Sequence, residues 1–128
     1  MNSGSDTEAS SFGAALLAAA DACEHAACAT RDLDVRIALA VFPSLRDLPA
    51  VDEAVWRDPD GMRVRALHYS SSTVAASTLV PPGCWIEWDG DEVRILNGFC
   101  IGRSRHSVKS LALSAAALRA RAGRRTPR

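Results

Sequence analysis

The chain has a single lysine, a single tyrosine, 5% aromatic residues and no carboxylate after Glu92. The aromatics are not interleaved with the bases, which excludes the mixed basic-and-aromatic pattern of nucleic-acid recognition modules. No apolar run is built to span a bilayer. Ala66 to Ile86 lacks Asp, Glu, Lys and Arg, but it is interrupted by serines, threonines, two prolines and a glycine. The apolar stretch Phe12 to Ala20 is preceded by Asp6 and Glu8 where an export signal carries bases. No GxSxG, P-loop, GxGxxG or HExxH is present, so none of the common hydrolase, nucleotide or zinc-protease signatures applies. Four cysteines without an export signal read as reduced thiols, and the expected compartment is the cytosol of a bacterial host.

What remains is the composition of one folded domain. The chain has 128 residues, 48% apolar and 23% charged. A chain of that length buries roughly two-thirds of its unfolded surface and needs no disulfide or metal to fold. The net charge is zero, with fifteen bases against fifteen acids. Residues 1–60 hold eleven carboxylates and four bases, and residues 61–128 hold four carboxylates and eleven bases, so the halves are −7 and +7. Such asymmetry can mark an interaction segment. Arginine outnumbers lysine fourteen to one, a bias that a GC-rich genome explains without invoking function.

Residues 1–10 are small and polar and are expected to be disordered. From Ser11 the spacing of Phe12, Leu16, Ala20, Cys23 and Ala27 predicts a helix. A second helix starts at Arg31-Asp-Leu-Asp34, its acids suited to the positive end of the dipole, and stops at Pro43. Its two apolar stripes (Leu33, Ile37, Ala40 and Val41; Val35, Leu39 and Phe42) predict packing on two sides. Residues 43–62 read as loop with at most one turn, followed by a short strand from Met62 to Leu67. The run 70–72 caps a helix over Thr73 to Val80. Trp85-Ile-Glu-Trp88 and Val93-Arg-Ile-Leu96 flank Asp89-Gly-Asp91, a hairpin signal, and Phe99 to Ile101 continues the sheet. Ser104 or Ser107 caps a long last helix, whose Val108, Leu111, Ala115 and Leu118 face the sheet and which Gly123 closes. The expected fold is a small α+β layered domain over 11–122, with helices around a short antiparallel sheet (hairpin near 84–96) and a basic disordered tail at 123–128.

Candidate chemistry is sparse. Cys23, His25 and Cys28 suggest a metal cluster, but two cysteines five apart in a helix stand about 140° apart in azimuth and cannot share one ion. Cys84 or Cys100 with His68 or His106 would make a thiol–imidazole pair, yet no motif orients one. Glu87, Asp89, Asp91 and Glu92 at the hairpin tip read as solvated turn residues rather than a cation loop. No catalytic residue, cofactor or metal is expected. The partner is expected to be a protein or a second copy of the chain, with Trp85 and Trp88 as first contacts, since exposed tryptophan is enriched at hot spots. The bland expectation beside it is that at least one of the two rings is core. The alternative is weak, non-specific nucleic-acid binding through Arg119, Arg121, Arg124, Arg125 and Arg128.

Three stretches together carry a resemblance. Arg31-Asp-Leu-Asp-Val-Arg-Ile-Ala38 resembles R-E-L-D-x-x-I-A. Tyr69-Ser-Ser-Ser-Thr-Val-Ala-Ala-Ser-Thr-Leu-Val-Pro-Pro-Gly83, followed by Trp85, resembles Y-T-x-S-x-D-A-A-x-x-L-V-P-E-G. Leu111-Ala-Leu-Ser-Ala-Ala-Ala-Leu-Arg-Ala120 resembles L-A-L-C-x-A-A-L-R-A. In this order they are similar to small phage- and prophage-encoded proteins of unknown function, of the type called the phage ABA sandwich. Val74 departs from the usual Asp, Pro82 from Glu, and Val108-Lys109 from a Thr-Pro helix start. The resemblance implies the layered architecture and an accessory role, and it implies no catalytic residue or cofactor.

Overall fold

The last helix, α4 (Lys109–Arg124), is the element around which the others pack. Every residue from 110 to 118 is buried, which an alanine-rich helix permits because it presents small, apolar side chains on all sides. The computed structural model describes residues 3–124, with side chains from 11 to 123. In chain order its other elements are helix α1 (Ser3–His25), helix α2 (Arg31–Val41), a 3₁₀ turn (Pro43–Asp47) and strands β1 (Ala50–Asp52), β2 (Val55–Arg57) and β3 (Arg63–Arg65). Helix α3 (Thr73–Ser77) and strands β4 (Trp85–Asp89), β5 (Glu92–Leu96) and β6 (Cys100–Arg105) precede α4. This is a small α+β domain with two antiparallel three-stranded sheets, ordered β1-β2-β3 and β4-β5-β6.

One side of α4 carries Leu111, Ala115 and Leu118, which join Leu16, Ala19, Ala20 and Cys23 of α1 and Ile37 of α2 in one apolar cluster. Ala112, Leu113, Ala116 and Ala120 join Val93 and Ile95 of β5 in the other. The expected sheet-facing stripe therefore faces the helices, and the alanines one step round meet the sheet. The reason is Gly102 in β6. A Cβ placed there would meet the Ala116 carbonyl oxygen and stand 2.7 Å from the Ala120 nitrogen. Strand and helix backbones are that close, so only small residues fit between them.

The third side of α4 is tied by hydrogen bonds. Ser110 Oγ donates to the Ser70 carbonyl (2.6 Å) and Ser114 Oγ to the Tyr69 carbonyl (3.1 Å). Ser70 is held in turn by buried Asp34, whose Oδ1 accepts the Ser70 N–H at 2.8 Å and whose Oδ2 pairs with Arg31 at 2.8 Å. Arg31 also donates to the Ala66 and Leu67 carbonyls. The three stretches that carried the resemblance meet in this one knot.

Several expectations change. α1 begins at Ser3, inside the stretch 1–10 expected to be disordered. A formed helix extends at one hydrogen bond per added residue, and residues 3–10 hold no proline to stop it. It ends at His25, so Cys28 lies outside the helix, where the chain breaks to let Thr30 cap α2. α2 buries its first stripe and only partly covers its second, which packs at the margin of the same cluster. Val35 and Leu39 are half-buried and Phe42 is 52% exposed. The segment expected as loop holds β1 and β2, joined through Glu53-Ala54 with Ala54 at φ 59°. His106, rather than Ser104 or Ser107, serves the start of α4. Its Nδ1 accepts the Val108 N–H (2.9 Å) while Nε2 bonds the Ala26 carbonyl (2.7 Å). α4 continues through Gly123 to Arg124, and residues 125–128 of the expected tail lie outside the described residues.

The close approach at Gly102 makes a prediction. Gly102→Ala is expected to cost about 3 kcal/mol or more in urea unfolding, the top of the overpacking range, because backbone atoms cannot rotate away. Gly13→Ala in α1, with nothing within 4 Å of the new Cβ, is expected instead to stabilise by about 0.5–1 kcal/mol.

Candidate functional site

The hairpin turns at Gly90-Asp91, with Gly90 at φ 61°. Positive φ at the first central residue alone is the type II′ geometry that suits paired strands. It closes the Asp89↔Glu92 pair, and the register then runs Trp88↔Val93, Glu87↔Arg94, Ile86↔Ile95 and Trp85↔Leu96. Side-chain alternation puts Ile86 and Trp88 on the α4 side of the sheet and Trp85, Glu87 and Asp89 on the outer side. Hydrogen-bonded pairs alternate with open ones, so the backbone groups of Ile86 and Trp88 point away from β5. β4 has β5 as its sheet neighbour on one side. Among the described residues no backbone hydrogen bond reaches its other edge.

Neither tryptophan of β4 is core. Trp85 is 49% and Trp88 44% exposed, against the expectation that at least one ring would be buried. α4 runs beneath β5 and β6, so β4 overhangs the helix. The Lys109 ammonium lies 5.7 Å from the Trp88 ring centre, a cation–π contact at the start of α4. Trp85 Nε1 donates to Glu87 Oε2 at 3.4 Å. Both rings are thus oriented on an open sheet edge.

The outer face of this sheet is charge-matched. Arg94 reaches Asp89 at 2.9 Å and Glu92 at 3.4 Å, and Glu92 also takes Arg105 (3.1 Å) and Arg103 (3.7 Å). The hairpin-tip acids Asp89 and Glu92 are accordingly paired with arginines. The opposite sheet edge, at β6, is covered. Arg119 donates to the Arg103 carbonyl, and Glu24 accepts the Arg105 N–H.

The proposed phosphate-binding arginines are placed as follows. Arg119 bridges Asp21 (2.8 Å) and Glu24 (2.6 Å) of α1. Arg121 Nε donates to the Leu79 carbonyl at 2.7 Å, fastening the chain after α3 to α4. The Arg124 side chain and residues Arg125 and Arg128 lie outside the described residues. Acidic α1 and basic α4 therefore meet in the fold, and a cleft of about 300 Å³ between them is lined by Glu24, Glu92, Arg103, Ser104, Arg105 and Arg119.

The thiols and imidazoles are scattered. Cys23 is fully buried, and burial, with the Asp34 charge behind it, pushes its pKa up to about 12. That holds it as the thiol at neutral pH. Cys28 and Cys100 are exposed and Cys84 is partly so. Cys84 and Cys100 each direct Sγ to a nearby carbonyl, of Pro82 and Gly102. Both ring nitrogens of His106 are engaged, and His68 is exposed. Among the described residues no group of three or more His, Cys, Asp or Glu is placed so that it could hold a metal ion. No helix among them is long and apolar enough to cross a membrane. No family model matches the chain, and no curated protein or solved structure is similar to it.

The α1–α4 clasp gives a pH dependence. Burial pushes the Glu24 carboxyl up, but the Arg119 and Arg105 hydrogen bonds and the Arg119 charge outweigh it and hold the group below its ordinary value of 4.5. A depressed folded value means that the stabilisation is complete above about pH 4.5 and is lost as pH falls through the folded value. Urea midpoints are expected to drop in that acid window, and Glu24→Gln, less stable at neutral pH, is expected to show a flatter profile there.

Proposed function

We propose that this chain is a non-enzymatic accessory protein that binds another protein through strand β4. The observation that carries the reading is the open edge of β4 with Trp85 and Trp88 both half-exposed on it. An incoming extended segment would bond to the free backbone groups of Ile86 and Trp88, and the two rings would seat its side chains on either face. Main-chain pairing supplies affinity without sequence demands; the rings supply selectivity. The protonated Cys23 thiol and the fully engaged His106 ring support a binding role over a catalytic one. The resemblance in its three stretches supports a phage or prophage setting within the bacterial cytoplasm. Arg119 and Arg121 already bond inside the fold, which speaks against the C-terminal arginines as the working surface.

A peptide library displayed against the purified chain tests the reading. Selected peptides are expected to lose affinity about 30-fold or more with Trp88→Ala or Trp85→Ala, the roughly 2 kcal/mol that defines a hot spot. They are also expected to fail against Ile86→Pro, which removes an edge N–H. A selection without binders, or binders indifferent to all three changes, contradicts the proposal.

A further inference from the structure

The second sheet carries a feature that the edge-strand reading leaves unexplained. In β2 and β3, Arg57 stands directly opposite Arg63, and Val55 opposite Arg65. Alternation puts residues 55 and 57 of β2 and 63 and 65 of β3 on one face, so three arginines share it. All three are exposed. Like charges directly across a ladder are destabilising, and among the described residues none of the three forms an ion pair that would offset this. Arg31, Arg94, Arg103, Arg105 and Arg119 each stand in an ion pair. Among the described residues Arg57, Arg63 and Arg65 have no such partner, and their side chains make no hydrogen bond.

The nearby acids bond to local backbone N–H groups rather than to these arginines. Asp52, across from Val55 on β1, accepts the Glu53 N–H with Oδ1. Asp58 Oδ1 accepts the N–H groups of Asp60 and Met62 in the β2–β3 turn. Val55 is buried on this face, between Asp52 and Arg65 in the register. Long basic side chains lay their methylenes over such a residue and hold their heads in water. The face thus presents three exposed arginines beside one buried valine.

We propose that this face is a docking surface for the phosphate backbone of duplex DNA. Planar guanidinium forks match phosphate oxygens bidentately. Arg63 and Arg65 are spaced roughly 6.7 Å along the strand, so the three heads can meet separate phosphates. The strands place no aromatic ring on this face: Trp56 alternates to the other side and is buried. Base stacking, the device of single-strand binders, is therefore absent. Strands of three residues form no groove that would seat a peptide. The acidic turns on either side, Asp52-Glu53 and Asp58-Pro-Asp60, confine contact to the three guanidiniums and leave base identity unread.

Fluorescence anisotropy of the full chain with a short labelled duplex, titrated across salt, tests this. Three phosphate contacts predict a slope of log affinity on log salt near −2.7, at about −0.9 per contact. Arg57→Gln with Arg63→Gln and Arg65→Gln is expected to abolish that slope and weaken low-salt binding at least about tenfold. The corresponding three lysine substitutions are expected to keep the slope, which separates charge from any effect on folding. The proposal is overturned if the wild-type chain does not bind duplex at low salt, or if the glutamine variant binds with an unchanged slope. It is equally overturned if polyglutamate binds where duplex does not, or if binding survives the glutamine changes and is lost on truncation after Ala122.

Discussion

The backbone contact between Gly102 and the Ala116–Ala120 turn is the constraint on which the rest of the structure depends. It brings β6 against α4 more closely than any side chain would allow. That closeness leaves room for no more than a small side chain at 120, and the leucines at 111 and 118 pack on α1 and α2. A helix buried on every side then organises both flanks, and its hydroxyls at 110 and 114 tie down residues 69–70. The same placement under β5 and β6 leaves β4 only partly covered, with Ile86 against the sheet-side cluster and Trp88 beside Lys109. The exposed tryptophans follow from where the glycine sits.

Charge is arranged on a comparable plan. The net of zero conceals an acidic first half and a basic second half, and the fold partly neutralises them through Arg119 with Asp21 and Glu24. Buried Asp34 makes a further long-range link, between α2 and the segment before α3. Most described arginines with ion pairs lie on the β4–β6 sheet or on α4, and three without one share a face of the other sheet. Neutrality of the whole chain therefore says little about any one of its faces.

Local signals in the sequence were read correctly where they act locally. Asp89-Gly-Asp91 forms the turn, Pro43 ends α2, and the run 70–72 supplies Ser72 as the α3 cap. β1 and β2 were missed because their connection, Glu53-Ala54, has no turn chemistry. An alanine at φ 59° is not a residue from which a hairpin is inferred, and strands of three residues are too short for a period. The arginine face was illegible for the same reason: residues 57, 63 and 65 form a face only once the β2–β3 register is known. Asp34 has the position of a dipole partner, yet it also holds Ser70, 36 residues away, which no local pattern announces. The tryptophans were assigned partly to the core because large rings usually are core; what overrides that is the lateral position of α4, which no periodicity encodes.

Two surfaces emerge, an open strand edge and an unpaired arginine face. The edge is the central claim, and it can be read directly from the free protein. Amide hydrogen exchange resolved by residue should show Ile86 and Trp88 exchanging near the unprotected rate while Glu87, bonded to β5, stays protected. Protection of Ile86 and Trp88 equal to that of Glu87 in the unpartnered chain would mean that the edge is already covered, and it would contradict the account.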